Sequence, residues 1–438
     1  MVEKSSKYDR QRRTAYITIV FLGAGSVSLG FWWMSLNALP KISLPVNPLP
    51  AVNAFDTFAS AGKLLLDDNK VNFASSTFHS GKDPNDRNYT HAEKEQLLTE
   101  NAPALMLLRE GLEQEYMTPS YRSADTAFPY LANDRKLARL LRLEALVREE
   151  RGDWKGAMGS HIDSIELGNK VKKGGPLIHS LVGIACEAIG QKGTARLIDT
   201  LSNLESKSAL VRLMKIDQEA IPFSQILTEE KYTGQALILE FINKRRTFSE
   251  LAKSFDEGNQ TESNLQAFKY LVGDKKSYLD HYNKYMDQII ANSKHPYAAR
   301  LPFPETPNDP LNQGMIAGGS MGRFSLEKTI AANRLLIIGI ALKIYKIEHG
   351  GYPLKLTELV PNVLPVLPID PFALSGTFQY RHDKSDYLLY SVGPDGKDDG
   401  GIPIEDSTKK FQKGQDPAQR YMPKEESKGD ILLGTNVK

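Results

Sequence analysis

From Leu326 to Ile347 the residues Leu326, Ile330, Ala331, Arg334, Ile337, Ile338, Ala341, Ile344 and Tyr345, all but one of them apolar or aromatic, recur at three- and four-residue steps. That spacing predicts a helix with one apolar stripe. Its stop is marked by His349-Gly350-Gly351-Tyr352-Pro353, which supplies a cation for the last turn, glycines for a left-handed cap and a proline that cannot continue the helix. After a helical turn at Leu356 to Val360, the residues Phe378, Tyr380, Tyr387 and Leu389 alternate with Gln379, Arg381, Leu388 and Tyr390. Alternation of period two predicts a two-stranded hairpin, turning at Asp383-Lys384-Ser385.

Upstream the pattern is helical. Thr90 and Glu93 form a capping box ahead of Leu97, Leu98, Leu105, Leu107, Leu108 and Leu112. Asn133 to Gly168 reads as two amphipathic helices joined at Gly152-Asp153-Trp154, and this pair resembles one tetratricopeptide-type (TPR) helical hairpin, with Ala145, Gly152 and Ala157 at small-residue positions. Only one such unit is present, so a TPR-like helical region is expected and not a repeat array. A nearly uncharged helix is expected from Pro176 to Gly190, others through Ser206 to Leu213 and Thr247 to Phe255, and a long one from Leu265 to Ile290. Tyr278, Tyr282, Tyr285 and Ile289 share a face of the last, which is either core or an aromatic platform for glycans.

The N-terminus changes the picture. Lys4, Lys7, Arg10, Arg12 and Arg13 precede an uncharged run from Thr14 to Pro40, whose part from Ala15 to Leu39 exceeds the roughly 20 residues that cross a bilayer. The charge asymmetry orients a single-pass anchor with its N-terminus in the cytoplasm and everything from about Lys41 outside the cytoplasmic membrane. The competing reading is a cleaved signal peptide, against which stand the length of the run and the lack of a small-x-small cleavage site. Pro40, Pro45, Pro48 and Pro50 make a stiff exit, and Pro296, Pro302, Pro304, Pro307 and Pro310 mark a second linker.

With 438 residues, 41% of them hydrophobic, the chain can build two or three cored domains. Its 55 basic and 53 acidic residues leave a net charge of +2, too weak a field to argue for nucleic acid. Cys186 is the only cysteine, so intrachain disulfides and cysteine-based zinc sites are excluded, and its apolar neighbours suggest a buried inert thiol. Gly318-Gly319-Ser320-Met321-Gly322 has the spacing of a nucleophile elbow, and Asp370 and His382 follow in hydrolase order. The linker context argues instead for a hinge. No His-Glu-x-x-His helix or phosphate-binding loop occurs, and the eight histidines are scattered singly.

Several short motifs near the C-terminus share an order: Ala341-Leu342-Lys343-Ile344-Tyr345, Gly350-Gly351-Tyr352-Pro353, Leu367-Pro368-Ile369-Asp370-Pro371-Phe372, Gln379-Tyr380, and Tyr387 through Gly396. In this order they resemble the globular domain of the major pseudopilin of bacterial type II secretion systems, over less than a fifth of the chain. The resemblance implies a small α+β module. It also implies calcium in the loop after the last strand, which here carries Asp395, Asp398 and Asp399. Unlike that family, the helix is preceded by a short glycine-rich stretch from Gly314 to Ser320, so a fold is implied more than a filament role.

The expected fold class is therefore mainly α, with a transmembrane helix, a TPR-like exported helical region and a pilin-like α+β module. The expected segments are a tail at 1–13, an anchor at 14–39, a linker at 40–54, a helical domain at 55–295, a linker at 296–324, the module at 325–405 and a polar tail at 406–438. The expected role is a non-enzymatic envelope protein with a protein partner, linked to a secretion or pilus-related assembly. The alternative is an envelope hydrolase using Ser320, His382 and Asp370, or carboxylates of the helical region.

Overall fold

The computed structural model describes residues 42–76, 85–123, 128–244, 246–255, 259–315, 319–405 and 423–434. The chain is mainly α-helical. Among the described residues no helix is long and apolar enough to cross a membrane, and the expected anchor at 14–39 lies outside them. Contacts divide the chain into two compact units. Of the described residues, the larger unit takes 45–233, 288–303 and the chain from 319 onward, and the smaller takes 42–44, 234–287 and 304–315.

The larger unit begins with α1 (Ala54–Lys63), α2 (Asp68–Ala74), α3 (His91–Glu100) and α4 (Ala102–Leu112). Thr90 caps α3 as a reciprocal box with Glu93. The expected hairpin follows as α5 (Pro129–Glu150) and α6 (Trp154–Val171). Its turn works because Gly152 takes φ of +75° and the Asp153 carboxylate accepts from the Gly156 amide at 2.9 Å. Next come α7 (Leu177–Leu197), extending the expected helix by seven residues past Gly190, and α8 (Asn203–Gln218).

Helices α6 and α7 approach almost backbone to backbone. A Cβ added at Gly168 would fall 2.3 Å from the Gly183 carbonyl oxygen, and one at Gly183 would fall 2.4 Å from that of Gly168. Only hydrogen fits there. Gly183→Ala must push the helices apart, and an overpacking cost of roughly 2–3 kcal/mol is expected as a lower denaturant midpoint. An unchanged midpoint would show that the two helices can separate freely.

The long helix, α14 (Gly319–His349), packs on α7 and α8. It was expected to carry one stripe, but Leu335 to Ile338 and Ile340 to Leu342 are all buried, so this part is enclosed on every side. It begins before Leu326, so Ser320, expected in a hinge, has helical backbone. The stop is as expected: the helix ends at His349, and Gly350 takes φ of +79°. Strands β1 (Gln379–Asp383) and β2 (Asp386–Ser391) form the expected hairpin, with Asp383 opposite Asp386 and Lys384 at φ of +48° in the turn. A third antiparallel strand, β3 (Ile431–Leu432), adds to β2 from the segment expected to be only a polar tail.

One core joins α6, α8, α14 and the sheet, with Ile162, Leu213, Ile338, Phe372, Leu389 and Ile431 among its members. Residues from the 55–295 and 325–405 stretches thus share one unit and one core. Tyr297, placed by sequence in the second linker, is fully buried with its ring 4.9 Å from that of Phe372.

From Gly234 the chain enters the smaller unit along α9 (Phe223–Asn243) and leaves it after Asp287 along α12 (Lys275–Asn292). Between them lie α10 (Phe248–Ser254) and α11 (Gln260–Val272), and α13 (Pro310–Met315) completes the unit. The expected single helix from Leu265 to Ile290 is broken at Gly273-Asp274. The Lys275 ammonium donates to the carbonyls of Gly273, at 3.1 Å, and Tyr270, closing the end of α11, while Asp274 accepts from the Lys276 amide and starts α12. Tyr278, Tyr282 and Tyr285 are buried and belong to the core, which removes the aromatic-platform reading.

Candidate functional site

The most developed polar construction lies where α6, α7 and α14 meet. Lys172, at the end of α6, pairs with Glu187 of α7 at 2.5 Å, and the two side chains are 1% and 0% exposed. Asn333 of α14 donates to the other Glu187 oxygen at 2.8 Å. Gln191 donates to the Asn333 side-chain oxygen at 2.8 Å and to the Thr329 carbonyl at 3.1 Å. A charge this deep persists only when paired and hydrogen-bonded, so the seam ties the long helix to the hairpin region in one register. Sequence reasoning missed it. The available signal was Glu187 itself, the one acid of α7, a residue type seldom buried unless paired.

A second layer crosses α4, α5, α6 and α8. Asp163 accepts from Arg109 at 3.1 Å and Arg212 at 2.8 Å, and Glu144 accepts from Arg109, from Arg148 at 2.9 Å and from Ser160 at 2.7 Å. Arg212 also reaches Glu166 at 2.9 Å. These helical-region carboxylates, the alternative catalytic candidates, are each committed to guanidinium partners and form neutral ionic layers. Glu149 likewise accepts from Arg196 at 2.6 Å and lies 3.1 Å from the His161 ring nitrogen.

Three buried groups stand apart. Asp134 is 3% exposed with Oδ2 unpartnered, and burial pushes its carboxyl up to about 7. His179 bonds the Tyr130 hydroxyl at 2.8 Å through Nε2, and burial lowers its imidazole to about 4. Burial also raises the Cys186 thiol well above its ordinary value, with the charges of Asp134 and Glu187 adding to the effect. That agrees with an inert thiol.

Of the hydrolase candidates, Asp370 and His382 are not brought together. The Asp370 carboxylate accepts from the Phe372 amide at 3.0 Å, the Ser391 hydroxyl at 2.8 Å and the Val392 amide at 3.0 Å. It ties the loop before the hairpin to the end of β2. His382 pairs with Tyr387, four residues from Ser391 along β2, which is about 13 Å at strand rise. Ser320 has helical backbone near the start of α14.

In the candidate metal loop, Asp398 accepts from the Tyr390 hydroxyl and the Gly400 amide, both at 2.9 Å, and Asp395 accepts from the Lys397 amide at 3.2 Å. Asp399 donates its amide to Asp430 at 3.4 Å, and Gly401 donates to the same carboxylate at 2.7 Å. Asp430, which sequence reasoning left in the tail, is lifted to about 6 by burial, with Asp398 and Asp399 adding repulsion. The Asp395, Asp398 and Asp430 carboxylates serve the loop's own hydrogen bonds. Among the described residues no three acidic, imidazole or thiol groups converge as a metal cage.

The larger unit also carries a polar cleft of about 420 Å³ lined by Lys170, Lys173, Lys215, Glu113, Glu115 and Glu219. Its balanced charges select no ligand sign, and Lys170 is already held by the Gln114 carbonyl at 2.8 Å. No family model, no curated protein and no solved structure matches this chain.

Proposed function

We propose that this protein is a non-enzymatic, single-pass scaffold of the bacterial envelope, whose pseudopilin-like module serves a secretion or pilus-related assembly without entering its filament. The observation that carries this reading is the enclosure of α14. A pilin-type filament is built by packing long helices of neighbouring subunits, whereas the apolar surface of this helix is spent inside its own chain. What stays available is the loop side of the module, where Val366, Ile369, Leu374 and Ile402 are exposed. The separation of His382 from Asp370 favours binding over catalysis. Affinity capture of the full chain from crosslinked membranes is expected to retrieve secretion or pilus components. Retrieval of none of them, together with labelling of Ser320 by a fluorophosphonate, would replace the scaffold by the hydrolase.

Calcium at Asp395, Asp398 and Asp399 is a separable part of the proposal, supported by the resemblance and opposed by the present bonding of the loop. Binding requires Asp395 and Asp398 to exchange their present partners, the Lys397 and Gly400 amides and the Tyr390 hydroxyl, for the cation. If they do, calcium at about a hundredfold over its Kd stabilises the protein by roughly 2.7 kcal/mol, and Asp395→Ala removes most of the gain. Identical melting in millimolar calcium and in chelator would reduce the loop to a turn.

A further inference from the structure

Ser277 and His281 stand four residues apart on α12, so both side chains lie on one face of that helix. The Ser277 hydroxyl is 3.4 Å from Nε2 of the His281 ring, and Nδ1 of the same ring is 3.1 Å from Oδ2 of Asp309. Asp309 lies just before α13 and is 7% exposed. Its carboxylate is fixed by Asn312, whose backbone amide donates to Oδ1 at 2.9 Å and whose side-chain amide donates to Oδ2 at 2.8 Å. Asn312 is itself fully buried and also donates to the Tyr278 carbonyl of α12 at 2.9 Å. All of these residues belong to the smaller unit.

The roles follow from what each atom can do. A carboxylate only accepts, so beside Asp309 the ring proton sits on Nδ1, and Nε2 turns a lone pair to the Ser277 hydroxyl. We propose that Ser277 is an acyl acceptor for activated esters, meaning thioesters and aryl esters, with His281 as its base and Asp309 as the residue that positions the ring. In the step Ser277 Oγ bonds to the carbonyl carbon of the donor while its proton passes to His281 Nε2. The carbon–sulfur or carbon–oxygen bond of the donor then breaks, and the leaving thiolate or phenolate takes that proton away. At 3.4 Å the serine and its base are loosely paired, as such pairs often are before a reactant is bound. His281 has 52% of its side chain exposed, so a donor reaches the pair from solvent.

The start of α12 decides that the acyl group stays. Release by water needs donors for the oxyanion that forms on the serine ester. The Lys276 amide, next to Ser277, is committed to Asp274 Oδ1 at 3.0 Å, and that carboxylate places negative charge at this end of the helix. A thiolate or phenolate leaves readily without such donors, whereas the alkoxide of serine does not. The product is a covalently modified helix and not an esterase, so the inference goes beyond the scaffold reading without opposing it.

The test incubates the full chain with p-nitrophenyl acetate and locates the acetyl group by peptide mass mapping. Ser277 is expected to be acetylated roughly 100-fold faster than Ser249, an exposed serine of α10, which is the scale of general-base assistance. His281→Gln should remove that gain, with circular dichroism reporting that the unit stays folded. Asp309→Asn turns an amide N–H towards Nδ1 and should lower the rate on the order of tenfold or more by moving the ring proton to Nε2. Nitrogen NMR of the imidazole reads that tautomer change, which a loss of packing alone would not produce. Nitrophenol release should stop near one equivalent. Equal rates at Ser277 and Ser249 in the folded wild type would overturn the proposal, and so would continued release that depends on Ser277. Acetyl on Ser320 with none on Ser277 would overturn this proposal and the scaffold reading together, whereas acetyl retained on Ser277 supports it even where crosslinked capture finds no secretion component.

Discussion

Glu187→Gln is expected to cost roughly 3–5 kcal/mol of stability, because it leaves the Lys172 ammonium charged and unpaired in the core. Lys172 is 1% exposed, so water cannot take the place of the lost carboxylate. The substitution also weakens the acceptor that orients Asn333, so α14 loses part of its hold on α7. Removing both charges should behave differently: Lys172→Met with Glu187→Gln leaves no buried charge and keeps an amide oxygen for Asn333, and is expected to fall within about 1 kcal/mol of wild type or above it. Denaturant midpoints of the two single variants and the double variant check this. A single variant as stable as wild type would mean that solvent reaches the seam.

The second large effect is a pH dependence. Asp134 has a folded-state pKa of about 7, against an unfolded value near the ordinary 3.8, so the folded protein holds a proton that the unfolded chain releases. The associated stability is fully present below pH 4 and is lost as pH rises through 7. The difference between those two pKa values corresponds to roughly 4 kcal/mol by pH 8. Asp134→Asn, which cannot ionise, is therefore expected to match wild type at pH 4 and exceed it by about that amount at pH 8. His179 acts in the opposite sense: with its pKa lowered to about 4, its contribution is present above 6.5 and lost as pH falls through 4. The difference between Asp134→Asn and wild type isolates the carboxyl from the imidazole. A variant curve parallel to wild type from pH 4 to 8 would show that Asp134 is charged and solvated at neutral pH.

Sequence reading succeeded where one or two helical turns hold the whole signal. The Thr90 and Glu93 box, the Gly152 turn and the stop at His349-Gly350 are local arrangements of backbone groups and their nearest side chains, so the residues alone specify them. The β1–β2 hairpin belongs with these, since its register follows from a two-residue turn. The break at Gly273-Asp274 is equally local and was still missed. Helical periodicity runs through it, and the decisive agent is a lysine placed on the carbonyls that end α11.

The chain by itself thus determined the mainly α class, the positions of most helices and the candidate residues Asp395, Asp398, Asp399, Ser320, His382 and Asp370. What those candidates are near was decided by tertiary structure. Asp370 was drawn to Ser391 and Val392, and Asp430 to the loop from Asp398 to Gly401, by strand pairings between residues far apart in the chain. Periodicity cannot state which of two apolar helices covers the other. The stripe predicted on α14 therefore became a buried cylinder once α7 and α8 closed on it, and Lys172, Glu187 and Asn333 met only there, since burial makes a pairing obligatory and only the packed fold supplies the burial.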